Sequence, residues 1–179
     1  DWLANNWNQP DQSIWEVRGP KQCFTYSQLQ CWVAFDRGVR LASKRSLPIS
    51  GRRWAEERDK IYRMIMERAW NGKLQSFVQY YGSEAVDASA LVLPLMLFIG
   101  PRDPRMLSTI DRICKDLTAD ALVYRYRIGD AASDGLPGSE GTFSICSFWL
   151  VEALTRAGRL EQAQMVFEKM LTYANHLGL

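Results

Sequence analysis

Apolar positions along this chain recur at intervals of three and four residues, and alternation with period two is scarce. The pattern predicts six helices. The first covers residues 25–43 and opens on a Thr25-x-x-Gln28 capping box. The second covers 53–70 and the third 87–98. A fourth starts at Pro104, which suits a first helical turn, and runs to 118. The fifth spans 141–157 before Gly158, and the sixth spans 160–175 before Gly178.

These helices fall into two classes. The second, fourth and sixth have a wet face: Glu56, Glu57, Arg58, Asp59 and Lys60 oppose Ile61, Met64 and Ile65. The same contrast appears in Asp111, Arg112, Lys115 and Asp116, and in Glu161, Gln162, Gln164, Glu168 and Lys169. The third and fifth are apolar nearly all round and must be covered on every side. Inner and outer helices thus alternate, which predicts an all-α, two-layer toroid with about three helical hairpins present. Connections out of the odd helices are short (44–52, 100–103, 158–159), and those into them are long (1–24, 71–86, 119–140). In antiparallel hairpins the odd helices all start at one end, so the long loops, where function concentrates, gather there.

Composition narrows the function classes. A chain of 179 residues can bury one real core, and 47% apolar with 23% charged residues reads as a soluble globular protein. With a net charge of +2 and no stripe of Lys and Arg, nucleic acid is not an expected partner. The longest apolar run, 88–100, is interrupted by Pro94 and falls far short of a membrane span, so no membrane partner is expected. No secretory signal is visible and a cytoplasmic location is the expectation, although Asp1 and a start that reads mid-helix point to an excised piece. Cys23, Cys31, Cys114 and Cys146 form no CxxC pair and do not cluster with the lone His176, so no zinc site or other metal or cofactor is expected. They read as buried, reduced thiols. One histidine at a helix end also weakens Ser-His-Asp or Cys-His chemistry.

Two strings remain as candidate chemistry. Pro10-Asp11-Gln12-Ser13-Ile14-Trp15-Glu16-Val17-Arg18-Gly19 and Gly138-Ser139-Glu140-Gly141-Thr142-Phe143 each place a glutamate in a Gly-bearing, aromatic-flanked segment ahead of a helix. Two carboxylates at one face are the minimum for cleaving a glycosidic bond. The apolar wall of Ile14 and Trp15 would disfavour the charged form of Glu16, as suits a general acid. The start of the fifth helix would favour ionised Glu140, as suits a general base. The competing assignment pairs Glu16 with Arg18 and gives Glu140 only a helix-start role. Trp15 offers a stacking surface, and Tyr124-Arg125-Tyr126-Arg127 with Asp130 supplies cations, phenols and a carboxylate. Gln79-Tyr80-Tyr81-Gly82 and Asp87 line the middle loop, whereas Arg127 and Asp130 read better as pins between loops. The segment 135–138 is a flexible approach to Glu140 and not a phosphate loop.

At these residues the chain resembles glycoside hydrolase family 15, the glucoamylase-like enzymes, and in particular the prokaryotic branch. The resemblance runs from Trp7 to Leu179. It is carried by Pro10-Asp11, Ile14-Trp15-Glu16, Arg18-Gly19, Phe24-Thr25-Tyr26-Ser27, Trp32-Val33-Ala34, Phe77, Gln79, Tyr81-Gly82 and Asp87-Ala88-Ser89. Asp134-Gly135-Leu136, Glu140-Gly141 and the string from Cys146 to Leu154 complete it. It implies the C-terminal half of an (α/α)6 catalytic barrel as one partial domain over 1–179, needing the rest of its own barrel. It also implies an inverting exo-hydrolase releasing glucose from the non-reducing ends of α-glucosides or oligosaccharides, without a cofactor. Glu16 falls on the family's general acid, Glu140 on its general base, and Arg125-Tyr126 on a pair that binds sugar in the terminal subsite. Trehalases and isomaltose- or dextran-acting enzymes share the family and stay open as alternatives. Val17 replaces a second acidic residue, and Gly141 a polar one, of the fungal enzymes. A non-catalytic helical-repeat scaffold is the other class, but its repeats recur at about 34 residues with even loops. Here the odd helices are more widely and unevenly spaced.

Overall fold

A computed structural model describes residues 1–127 and 141–178. Glu140, Asp130, Asp134 and residues 135–138 lie outside the described residues. A short helix α1 (Trp2–Asn6) precedes α2 (Thr25–Arg45) and α3 (Gly51–Arg68), which pack as the first hairpin. On α2 the buried set Thr25, Gln28, Leu29, Trp32, Phe35 and Asp36 steps by three and four, and it meets Ile61 and Ile65 of α3. Gly38 permits the close approach: a Cβ there would lie 3.0 Å from the Trp54 ring. Asp36, nearly fully buried, is neutralised by Arg37, by Arg40 at 2.9 Å and by Arg58 at 4.0 Å.

The expected capping box does not form. Thr25 is already helical, and its hydroxyl donates to the Val78 carbonyl at 2.5 Å. The Gln28 amide donates to the Trp7 carbonyl at 2.9 Å. Both side chains are spent on tying neighbouring loops to the helix, which local pattern cannot show.

The third expected helix is broken. A 3-10 turn, Ala88–Leu91, runs into a single α-turn, α4 (Val92–Leu95). Pro94 has no N–H to give the Ala90 carbonyl, and Leu97 turns left-handed at φ 64. The segment from Ala88 to Pro94 is buried, as an inner element must be. Helix α5 (Pro104–Leu117) is the amphipathic outer helix expected, burying Met106, Thr109, Ile110, Ile113 and Leu117. The Asp103 side chain caps it through the Arg105 N–H at 2.9 Å.

Helices α6 (Ser144–Ala157) and α7 (Leu160–Leu171) form the last hairpin, closed by Gly158 at φ 85. The inner helix α6 is covered on one side only: Cys146, Ser147, Leu150, Ala153 and Leu154 are buried, while Ile145 and Phe148 are 45% and 52% exposed. Two short hairpins escaped the sequence pattern, β1 (Trp70–Asn71) with β2 (Ser76–Phe77) and β3 (Thr118–Ala119) with β4 (Leu122–Val123). Two-residue strands carry no period. The β3–β4 turn puts Asp120 and Ala121 at φ 50 and 64, the mirror-image geometry usually flagged by a glycine that is absent here.

The long loops do meet. Phe24 bridges Tyr80, and the Thr25 N–H donates to the Gln79 carbonyl at 2.9 Å. The Ala88 N–H donates to the Arg125 carbonyl at 2.8 Å, and the Phe143 N–H to the Val123 carbonyl at 2.7 Å. All four cysteines are free. Burial pushes the Cys31 and Cys114 thiols up to about 11, so they stay protonated near neutrality. Among the described residues no helix is long and apolar enough to cross a membrane.

Candidate active site

The first candidate string folds as a tight turn anchored at both ends. Asp11 pairs its backbone with Gln22 at 3.0 Å in both directions, and its carboxylate accepts the Ser13 N–H at 2.9 Å. The Val17 N–H reaches back to the Gln12 carbonyl at 3.1 Å, and the Val17 side chain is buried. Between these anchors Ser13 and Glu16 adopt left-handed backbone, φ 62 and 50. That geometry costs a non-glycine residue about 1–2 kcal/mol, and such strain clusters at functional sites. Glu16 is exposed at the tip while Trp15 turns inward.

Trp15, half-buried, is held by polar and aromatic neighbours. Its indole N–H donates to both Asp87 carboxylate oxygens, at 3.1 and 2.9 Å. Its ring meets Phe143 edge-on and Trp149 at a tilt, both with centroids 6.0 Å away. The Arg125 guanidinium lies 5.4 Å from the Trp15 ring, 5.3 Å from Tyr126 and 5.8 Å from Phe143. Each such cation–π contact is worth about 0.5–2 kcal/mol depending on desolvation. The three predicted site residues Trp15, Arg125 and Tyr126 therefore form one cluster, joined to Glu16 through its chain neighbour Trp15.

Asp87 is 1% exposed. Burial pushes its carboxyl up, opposed by hydrogen bonds from Ser89 (its side chain, and its backbone N–H at 2.7 Å), Trp15 and Gln79 (side-chain amide, 3.0 Å). Glu16 forms no ion pair with Arg18 among the described residues. Arg127 acts as a pin, its Nε donating to the Asp116 carbonyl at 2.5 Å. Glu140 lies outside the described residues, but α6 begins at Ser144 with Phe143 as its extended N-cap. The helix thus starts three residues later than the 141 expected from the sequence. Sequence reading missed Phe143 and Trp149 as site residues. The only signal was that Trp149 sits in an apolar helix, where a core role is the ordinary expectation.

The model of the family "Glycosyl hydrolases family 15" matches residues 1–176. The chain belongs to this family. Among its relatives, the trehalase of Mycobacterium tuberculosis is 44% identical over 96% of this chain and 25% of its own length. The trehalase of Thermoplasma volcanium is 40% identical over 97% of this chain and 27% of its own length. The chain therefore spans about a quarter of the curated relatives it matches. A glycosidase variant solved in complex with glucose superposes with a TM-score of 0.84 at 21% identity, over 99% of this chain and 45% of that one. A wild-type glycosidase gives 0.83 at 22%. The helical layers are part of the (α/α)6 toroid of family 15, as the resemblance implied. Within family 15 terms, the described cluster offers an exposed carboxyl, an aromatic platform and a cation held over it, which suits a neutral, polyhydroxylated ligand with apolar ring faces.

Proposed function

We propose that the whole protein hydrolyses an α-glucosidic bond with inversion, that trehalose is its substrate, and that this chain supplies both catalytic carboxylates. The observation that carries the reading is the Trp15–Phe143 contact. It joins the turn bearing Glu16 to the segment that leads from Glu140. Glu140, outside the described residues, precedes Phe143 by three positions in the sequence. The trehalase names of the relatives favour trehalose over the α-glucan ends that the family resemblance alone suggested.

In this mechanism Glu16 gives its proton to the glycosidic oxygen as the bond to the anomeric carbon breaks. Water attacks that carbon from the opposite face and loses a proton to Glu140. Both carboxyls then exchange protons with solvent to reset. Trp15 presents its ring to a sugar face, and Arg125 donates to hydroxyl groups from its place above the aromatic cluster. Tyr126, 2% exposed, acts from beneath Arg125.

The test is turnover by the whole protein of trehalose, maltose, isomaltose and soluble starch. Trehalose should give the highest kcat/KM. Faster hydrolysis of maltose or starch would replace the substrate assignment with exo-acting glucan hydrolysis. No turnover of any of the four would remove the enzymatic reading and favour a binding scaffold.

A further inference from the structure

A buried carboxylate, Asp87, holds the chain neighbour of the proposed acid and takes no part in the reaction. Asp87 is 1% exposed and enters no ion pair among the described residues, so hydrogen bonds from three residues, Ser89, Gln79 and Trp15, carry its solvation. Leaving a charge buried is costly unless its donors are held in good geometry. Two of those residues come from its own neighbourhood, Ser89 through its backbone N–H and its side chain, and Gln79 through its amide. The third crosses to another loop, from the Trp15 indole. The Ala88 N–H also holds the Arg125 carbonyl, so one short segment fixes both the indole and the residue whose cation covers it. Trp15 is the immediate neighbour of Glu16, whose own φ of 50 is one that a free chain would rarely keep.

We propose that Asp87 is a positioning residue for Glu16, acting through Trp15. The carboxylate grips the indole N–H with both oxygens, the gripped ring fixes the turn, and the turn holds the Glu16 carboxyl where a leaving oxygen must be protonated. The proposal rests on the acid role given to Glu16 above. A small misplacement of a catalytic group costs up to about 10²-fold in rate, and it falls on the step that uses that group.

The experiment compares two substrates in the whole protein, trehalose and α-glucosyl fluoride, whose fluoride leaves without a proton. Asp87→Asn should lower kcat on trehalose by about 10²-fold with KM changed less than about threefold; Trp15→Phe, which also trims the ring offered to the sugar, should lower kcat by a similar factor while raising KM, and both should lower kcat on the fluoride by less than about tenfold. The double variant should match the worse single one within about threefold, where independent effects would multiply to about 10⁴-fold. Equal losses on both substrates, a raised KM with kcat kept, or multiplying effects would overturn the proposal. Should Asp87→Asn fail to fold, Trp15→Phe, which removes the donating N–H together with the five-membered ring, carries the comparison of kcat between the two substrates. Native protein that turns over neither substrate would overturn the function reading itself, and the proposal with it.

Discussion

Glu16→Gln and Glu140→Gln should each lower kcat on trehalose in the whole protein by at least about the 10²–10⁴-fold typical of acid or base loss. The amide keeps the size of the carboxyl and removes only the chemistry. Glu16 is exposed and its turn is held by Asp11, Val17 and Trp15, so the thermal midpoint should stay close to native. The two variants should also differ from each other. Azide needs no deprotonation, so it should restore bond cleavage to Glu140→Gln and not to Glu16→Gln. A leaving group that needs no proton should restore Glu16→Gln instead. Glu152, paired with Arg156 at 2.6 Å, and Glu168, bonded to Gln164 at 2.7 Å, serve as controls on helix surfaces. Their Gln variants should keep native rates. A well-folded Glu140→Gln with near-native turnover would sink the assignment of the base.

Residues 1–179 expressed alone should show no turnover and should self-associate. The reason lies in α6 and α7. Ile145, Phe148 and the N-cap Phe143 stand open on the inner helix, and Leu160, Met165, Phe167 and Leu171 on its partner. Monomers seldom tolerate contiguous apolar patches beyond a few hundred Å². In the family fold the remaining helices of the toroid supply the cover, and relatives are about four times the length of this chain. Ile145→Ser combined with Phe148→Ser should shift the distribution towards monomer in light scattering. A monodisperse monomer of the unmodified chain with a sharp calorimetric transition would show that these faces need no cover. The sequence pattern set the third helix beside the fifth as apolar nearly all round and needing cover on every side. Its segment from Ala88 to Pro94 is already covered within the chain.

Legibility in the sequence followed the range of the forces involved. Helices α2, α3, α5 and α7 were readable because their buried positions repeat every three or four residues, and α5 matches to within a residue. The 87–98 segment was readable as inner but not as broken, because a long apolar run hides what Pro94 and Leu97 do to its hydrogen bonds. The β-hairpins were invisible, being two residues per strand and lacking the usual turn glycine. For the site, Trp15, Arg125 and Tyr126 were named from their types and loop positions, and they do cluster. What local pattern could not show is why they cluster. The Trp15–Asp87 bond spans 72 positions, and the Phe143 and Trp149 contacts span still more. The same limit explains Thr25 and Gln28, whose capping signature is genuine but whose side chains are drawn away by tertiary partners.

The most direct test of the acid–base account is the anomeric form of the first glucose released, followed by proton NMR before mutarotation. Both anomeric carbons of trehalose are α. Attack by water activated at Glu140, across the roughly 6.5–9.5 Å that an inverting pair leaves between its carboxyls, converts one of them to β and leaves the other as it was. The account therefore predicts equal amounts of α- and β-glucose from the first turnovers. Release of α-glucose alone would mean retention through a covalent intermediate, and would contradict the roles given to Glu16 and Glu140.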